Sequence, residues 1–174
     1  MYWQRWGYAS SECLWDDCLF SGSFSEIFLA KDITDENGKF VAIKVQNTEF
    51  DSTVIRWESE VLKGLINVAT VPKFIHYGTQ ENVNYLVMDI LSGEDMASLR
   101  NRIRARTPTG LVALPGAVYL TREMLKCIRA VHDMGYVHRD VKPANFVRNS
   151  CNSTHFSTID FGIAKLVSYS FACD

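Results

Sequence analysis

The sequence predicts an α+β fold with a strand-rich first half and a helical second half. Three observations carry that prediction. Apolar, β-branched runs at 26–30 and 40–45 flank Asp35-Glu36-Asn37-Gly38, and Asn-Gly between such runs is a strong hairpin signal. Ala117, Leu120, Met124, Leu125, Ile128 and Val131 recur at helical spacing and predict one long helix over 117–134. The composition changes character across 91–98, which marks a boundary between the two halves.

The remaining elements follow in order. Val54, Trp57, Val61, Leu62 and Leu65 predict a helix that ends near Gly64 and Asn67. Strands are expected at 73–77 and 83–89, joined by the polar 78–82. Gly135 stands where a left-handed cap closes the long helix, and short strands are expected at 146–148 and 156–159. The arginines at 100, 102, 104 and 106 would scatter around a helix. They read as solvated surface, with an anion or acidic-partner site as the other reading.

Composition excludes several classes of function. The 174 residues carry 18 Lys+Arg against 20 Asp+Glu, a formal net charge of −2, which is unlike a chain that coats nucleic acid. A hydrophobic fraction of 47% suffices for a core and argues against wholesale disorder. No run approaches the roughly 20 apolar residues that span a bilayer, and the first residues lack a secretory pattern. The five cysteines are odd in number, scattered and without a CxxC pair, so neither a zinc site nor a disulfide framework is expected. A reduced cytoplasmic or nuclear setting is the expectation, and the Asn152-Ser153-Thr154 sequon reads as chance.

Three motifs occur in a fixed order. The first is Ser21-Gly22-Ser23-Phe24-Ser25-Glu26-Ile27 followed by Val41-Ala42-Ile43-Lys44. The second is His138-Arg139-Asp140-Val141-Lys142-Pro143-Ala144-Asn145, and the third is Asp160-Phe161-Gly162. Each residue alone has a bland reading: Gly22 as a turn, Lys44 as a solvated strand end, Glu58 as a helix surface charge, Asp140 and Asn145 as caps. The ordered set reverses those odds, and it resembles a eukaryotic-type protein kinase from about residue 19 to 165. The catalytic-loop segment, with Phe146 after the asparagine, resembles the casein kinase 1 group. Residues 84–88 and 96–100 are similar to its tau-tubulin kinase branch, and the cell-division-cycle-7-like kinases are a rival assignment.

The resemblance implies a two-lobed fold: an antiparallel five-stranded N-lobe sheet plus helix over 19–91, and an incomplete helical C-lobe over 92–165. Residues 1–18 would be an extension and 166–174 a short tail. It implies ATP and Mg²⁺ as cofactors and a protein substrate offering Ser or Thr, with no nucleic acid and no membrane. Lys44 would hold the α/β-phosphates, with Glu58 as its partner and Glu60 as the fallback; two positions apart, these cannot share a helix face. Asp140 would orient the substrate hydroxyl and accept its proton, while Lys142 screens the γ-phosphate. Asn145 and Asp160 would offer oxygen ligands to the hard cation. Phe20, Ser21, Gly22 and Ser23 would cover the phosphates, and Ile27, Ala42 and Met88, with Asp89 and Leu91 in the hinge, would hold adenine. His138 would be a scaffold residue.

Two departures from the family pattern qualify this expectation. In a G-x-G-x-x-G alignment Phe20 and Ser25 replace the outer glycines, leaving Gly22. After Lys165 the activation segment and later helices of the family are absent, which suggests a fragment or truncated product. The expected function is an ATP-dependent serine/threonine kinase, with a weak or inactive nucleotide-binding or scaffold module as the alternative.

Overall fold

A computed structural model describes residues 6–8, 18–21, 25–32, 36, 38–46, 53–80 and 83–167. The chain divides into two compact units: residues 1–63 with 73–90, and residues 64–72 with 91–174.

The first unit is an antiparallel sheet with a helix. Its strands are β1 (Trp6–Tyr8), β2 (Cys18–Ser21), β3 (Ser25–Asp32), β4 (Phe40–Gln46), β5 (Phe74–Gln80) and β6 (Val83–Asp89). The order is β1-β3-β4-β6-β5, and β2 also pairs with β3. Strand β1 pairs with residues 30–32 of β3 and β2 with residues 26–28, so two short strands share one edge and the sheet has five lateral positions. Gly38 has φ +61, and the Asp32 N–H donates to the Lys39 carbonyl at 2.8 Å to close the β3–β4 connection. Asp35 and Asn37 of that turn lie outside the described residues.

The strand period of two separates two faces of this sheet. Ala30, Val41, Ile43, Tyr85 and Val87 form one buried cluster, with Val45 and Ile75 packed on it. The register pairs Ile27 with Lys44, Lys44 with Leu86 and Ala42 with Met88, so these five residues occupy the opposite face.

Helix α1 (Thr53–Gly64) differs from expectation in the face it buries. Val54 and Trp57 are exposed, whereas Ile55, Glu58, Ser59 and Leu62 lie inward at i, i+3, i+4 and i+7, with Val61 beside them. Val61, Leu62 and Leu65 of the expected stripe are buried, but two polar residues, Glu58 and Ser59, take inward positions in place of Val54 and Trp57.

The second unit contains α2 (Met96–Ala105), α3 (Leu114–Asp133), β7 (Tyr136–Val137), a 3₁₀ turn at Pro143–Asn145, β8 (Phe146–Arg148), β9 (Phe156–Thr158) and β10 (Lys165–Leu166). Met96, Cys127, Phe146 and Phe156 form its buried core, packed by Leu99, Leu120, Met124 and Ile128. Of the expected stripe on α3, Leu125 is 64% exposed, and Glu123 is buried instead with its carboxylate 2.6 Å from the Lys126 ammonium. Gly135 has φ +78 and its N–H donates to the His132 carbonyl, as a left-handed helix end requires. Burial pushes the Cys127 thiol up to about 11, and its Sγ donates to the Phe156 carbonyl, so it is a packed, inert thiol.

Helix α2 is an element the periodicity did not reveal. Asp95 caps it, with one carboxylate oxygen accepting from the Ala97 and Ser98 N–H groups at 2.8 and 3.0 Å. None of the described helices is long and apolar enough to cross a membrane.

Phe146→Ala removes a fully buried ring and is expected to destabilise the chain by about 3–5 kcal/mol in urea denaturation. Leu125→Ala is expected to stay within about 0.5 kcal/mol, because its side chain is mostly in solvent. Equal effects would contradict the face assigned to α3.

Candidate active site

Lys44 is buried in the middle of β4 on the same sheet face as Ile27, Ala42 and Met88. Its ammonium lies 2.7 Å from a Glu58 carboxylate oxygen, with the two side chains only 9% and 2% exposed. Glu60 instead pairs with Lys63 at 2.7 Å on the exposed side of α1. The structure therefore places Glu58, and not Glu60, at Lys44. The buried geometry decides this, because a desolvated ammonium without a carboxylate would be costly.

The other candidates of the first unit fall around this pair. Phe20 is opposite Ile27 and Ser21 is opposite Glu26 across the β2–β3 ladder. Ala42 and Met88 are buried register partners, and Asp89 lies opposite Val41 at the end of β6. Asp89 also accepts an ion pair from Lys39 at 2.8 Å, a partner that sequence reasoning missed because 50 residues separate them. Gly22 and Ser23 lie outside the described residues. Leu91 is half-buried at the start of the long second-unit segment.

In the second unit, side-chain and backbone hydrogen bonds shape the loop from His138 to Asn145. The Lys142 ammonium lies 2.6 Å from Asp140 Oδ2, and Asn145 Nδ2 donates to both the Asp140 carbonyl and Asp140 Oδ2 at 2.9 Å. The Asp140 N–H donates to His138 Nδ1, while His138 Nε2 faces the Ile159 carbonyl at 2.9 Å. A ring whose Nδ1 accepts has its proton on Nε2, so His138 bridges two loops as a scaffold. The Ile159 N–H also donates to the Asn145 carbonyl at 3.0 Å. Ile159 is thus fastened on both sides, which holds its neighbour Asp160 against the loop that carries Asp140, Lys142 and Asn145.

Backbone strain marks the same place. Arg139 and Asp160 both have φ +68, and they are the positive-φ non-glycine residues among those described. Arg139 is anchored through Nε to the Ile163 carbonyl, and the His138 ring packs 4.9 Å from Phe161.

Charge placement sets the protonation states. The hydrogen bond from Lys142, helped by Asn145, holds the Asp140 carboxyl below the usual carboxylate range despite partial burial. Asp140 in turn raises the Lys142 ammonium, with Asp160 adding to the effect. Asp140 is therefore ionised, and Lys142 protonated, across neutral pH. A depressed carboxyl contributes stability above its unfolded pKa, which is lost as pH falls through the folded value. A raised ammonium contributes below its unfolded pKa, and this is lost as pH rises through the folded value.

The donor set suits a hard divalent cation. Both Nδ2 bonds of Asn145 point to Asp140, which leaves its amide oxygen for a metal, and Asp160 supplies a carboxylate. No group of three or more His, Cys, Asp or Glu suited to a metal occurs among the described residues, so protein atoms alone would not complete a coordination shell. A hard cation that keeps several waters would suit such a sparse set.

Two measurements check these electrostatics. Glu58→Gln is expected to destabilise the chain by about 3–5 kcal/mol in denaturant melts, against less than about 0.5 for Glu60→Gln. Carbon-13 titration is expected to find Asp140 below the ordinary carboxylate range, and Lys142→Ala to move it upward. An unmoved midpoint would refute Lys142 as the dominant cause.

The chain matches the family model described as the protein kinase domain over residues 17–172. It is 39% identical over 146 residues to a probable serine/threonine-protein kinase of Dictyostelium discoideum, a match that covers 83% of this chain. The chain spans 28% of that relative's length. The family uses ATP with a divalent metal and acts on protein substrates. With its sheet-and-helix unit, its Lys44–Glu58 pair and its anchored Asp140 loop in place, the chain belongs to the protein kinase domain family.

Proposed function

We propose that this chain transfers the γ-phosphate of Mg·ATP to Ser or Thr hydroxyls of proteins. The observation that carries the reading is the Asp140 carboxylate, ionised and held by Lys142 at 2.6 Å and Asn145 at 2.9 Å. Phosphoryl transfer needs positioning and charge stabilisation more than covalent help, so a fixed anion beside a fixed cation is the required chemistry. Asp140 orients the substrate hydroxyl and receives its proton, and Lys142 stabilises charge on the transferred group. Lys44, held by Glu58, binds the α/β-phosphates. Asn145 and Asp160 supply oxygens to Mg²⁺, whose chemistry is neutralisation of the phosphates. Ile27, Ala42 and Met88, which share one face of the sheet, hold adenine.

Within the family, the reading is a casein kinase 1-like enzyme, with the cell-division-cycle-7-like kinases as the rival. It is supported by the 14-residue separation of Lys44 from its observed partner Glu58 and by Phe146, buried directly after Asn145.

Asp140→Asn keeps the Asn145 contact but removes the negative charge. It is expected to lower transfer of radiolabelled phosphate to casein by about 10²- to 10⁴-fold. Stabilisation by Mg·ATP in a thermal-shift titration should persist in that variant. Transfer at the parent rate by the variant would overturn the assignment. A thermal shift without transfer by the parent chain would favour the scaffold reading.

A further inference from the structure

The segment from Arg106 to Ala113 joins α2 to α3, and the proposed phosphoryl-transfer machinery makes no use of it. Here two threonines flank Pro108, and arginines at 100, 102, 104 and 106 lead into them. No Asp or Glu occurs between Asp95 and Glu123, so the arginines of α2 and Arg106 have no acidic neighbour within this stretch of sequence.

The two threonines differ in what holds them. Thr107 Oγ1 is shared between the Arg104 and Leu111 carbonyls at 3.1 and 3.0 Å, so this hydroxyl is a latch for the turn. Thr109 is exposed, and no described residue engages its hydroxyl. Gly110 follows at φ +64 with its N–H donating to the Thr107 carbonyl, which turns the chain so that Thr109 is at the tip.

The arginines differ too. Arg102 is neutralised by Glu94 at 2.8 Å. Arg104 Nε donates to the Gly110 carbonyl at 2.8 Å, so its guanidinium lies against the residue after Thr109 while its other N–H groups remain available. Arg106 is exposed and has no ion pair among the described residues.

We infer that Thr109 is a phosphorylation acceptor whose phosphate is clasped by Arg104 and Arg106. The modifying enzyme is a protein kinase whose substrate groove offers carboxylates to arginines three and five residues before the acceptor. In the reaction a bond forms between Thr109 Oγ1 and the γ-phosphorus of ATP. The bond to the β–γ bridging oxygen breaks, ADP leaves with that electron pair, and the hydroxyl proton passes to the modifying enzyme's carboxylate. Fraying of the last turn of α2 presents Arg104 and Arg106 in extended form, since helix ends open readily. The product phosphate is repelled by the negative end of α2, but charge-assisted bonds to two guanidinium groups outweigh that effect.

The test uses the full chain carrying Asp140→Asn, which suppresses label from its own activity, with a control lacking the added kinase. It is incubated with radiolabelled Mg·ATP and the catalytic subunit of the cyclic-AMP-dependent kinase, an arginine-directed enzyme. Label is expected on Thr109, lost in Thr109→Ala, and acquired about tenfold more slowly in Arg104→Gln or Arg106→Gln. Label on Thr107 instead, no label, or rates indifferent to both arginines would overturn the acceptor assignment. In the phosphorylated chain, amide exchange across 110–113 is expected to slow about tenfold, and Arg104→Gln to abolish the slowing. Unchanged exchange on phosphorylation would overturn the clasp.

Discussion

A lysine ammonium withdrawn from water within a β-sheet is tolerated only if a carboxylate meets it, because an unpaired buried charge costs several kcal/mol. Lys44 is that group, and Glu58 is its answer. The requirement runs backward through the unit. Glu58 faces inward only if α1 turns the side bearing Ile55, Ser59 and Leu62 toward the sheet, which leaves Val54 and Trp57 in solvent. The ion pair and the apolar contacts of Ile55 and Leu62 therefore favour the same rotation of the helix, and Val54 and Trp57 are left outside.

The second unit solves a related problem without burying a cation. Two residues with left-handed backbone, Arg139 and Asp160, each store strain of about 1–3 kcal/mol. The strain persists because hydrogen bonds at the residues next to each over-determine the path: His138 to Ile159, Ile159 to Asn145, and Asn145 to Asp140. Phe146 and Phe161, fully buried just after Asn145 and Asp160, anchor both loops in the hydrophobic interior. The polar network fixes direction and the aromatic rings fix position.

What the sequence disclosed follows the same physics. Strands β3, β4, β6 and β8 were legible as short apolar runs, continuous through the buried stretches of β4 and β6, and the β6 and β8 bounds match in full. The buried side of α1 was legible in Val61, Leu62 and Leu65, and in Glu58 through the resemblance, but Val54 and Trp57 misled because apolar residues at helical spacing can still lie in solvent. Leu125 misled for the same reason: a leucine in register with a stripe need not lie on it, whereas Glu123 takes an inward position through Lys126. Helix α2 carries too few apolar residues for a periodic signal, and only Asp95, two and three residues before the amides it caps, announced it. The pairing of Lys39 with Asp89 had no local signature at all.

The depressed carboxyl of Asp140 bears on how the labour of phosphoryl transfer divides. A general base is most effective when its pKa lies near the operating pH, and Lys142 and Asn145 drive Asp140 the other way. The neighbourhood therefore favours holding the hydroxyl in line over abstracting its proton early. In a loose transition state the attacking hydroxyl becomes acidic only late, so early basicity contributes little, whereas a permanently charged, rigidly held acceptor aligns the hydroxyl throughout. The same neighbours that weaken Asp140 as a base keep it ionised and restrict its rotation. Lys142 gains a raised pKa from the arrangement and stays cationic wherever negative charge develops. Asn145 contributes to both effects while its amide oxygen faces away from Asp140. The geometry thus trades basicity for orientation, a trade that suits phosphoryl transfer and would hinder a reaction limited by early deprotonation.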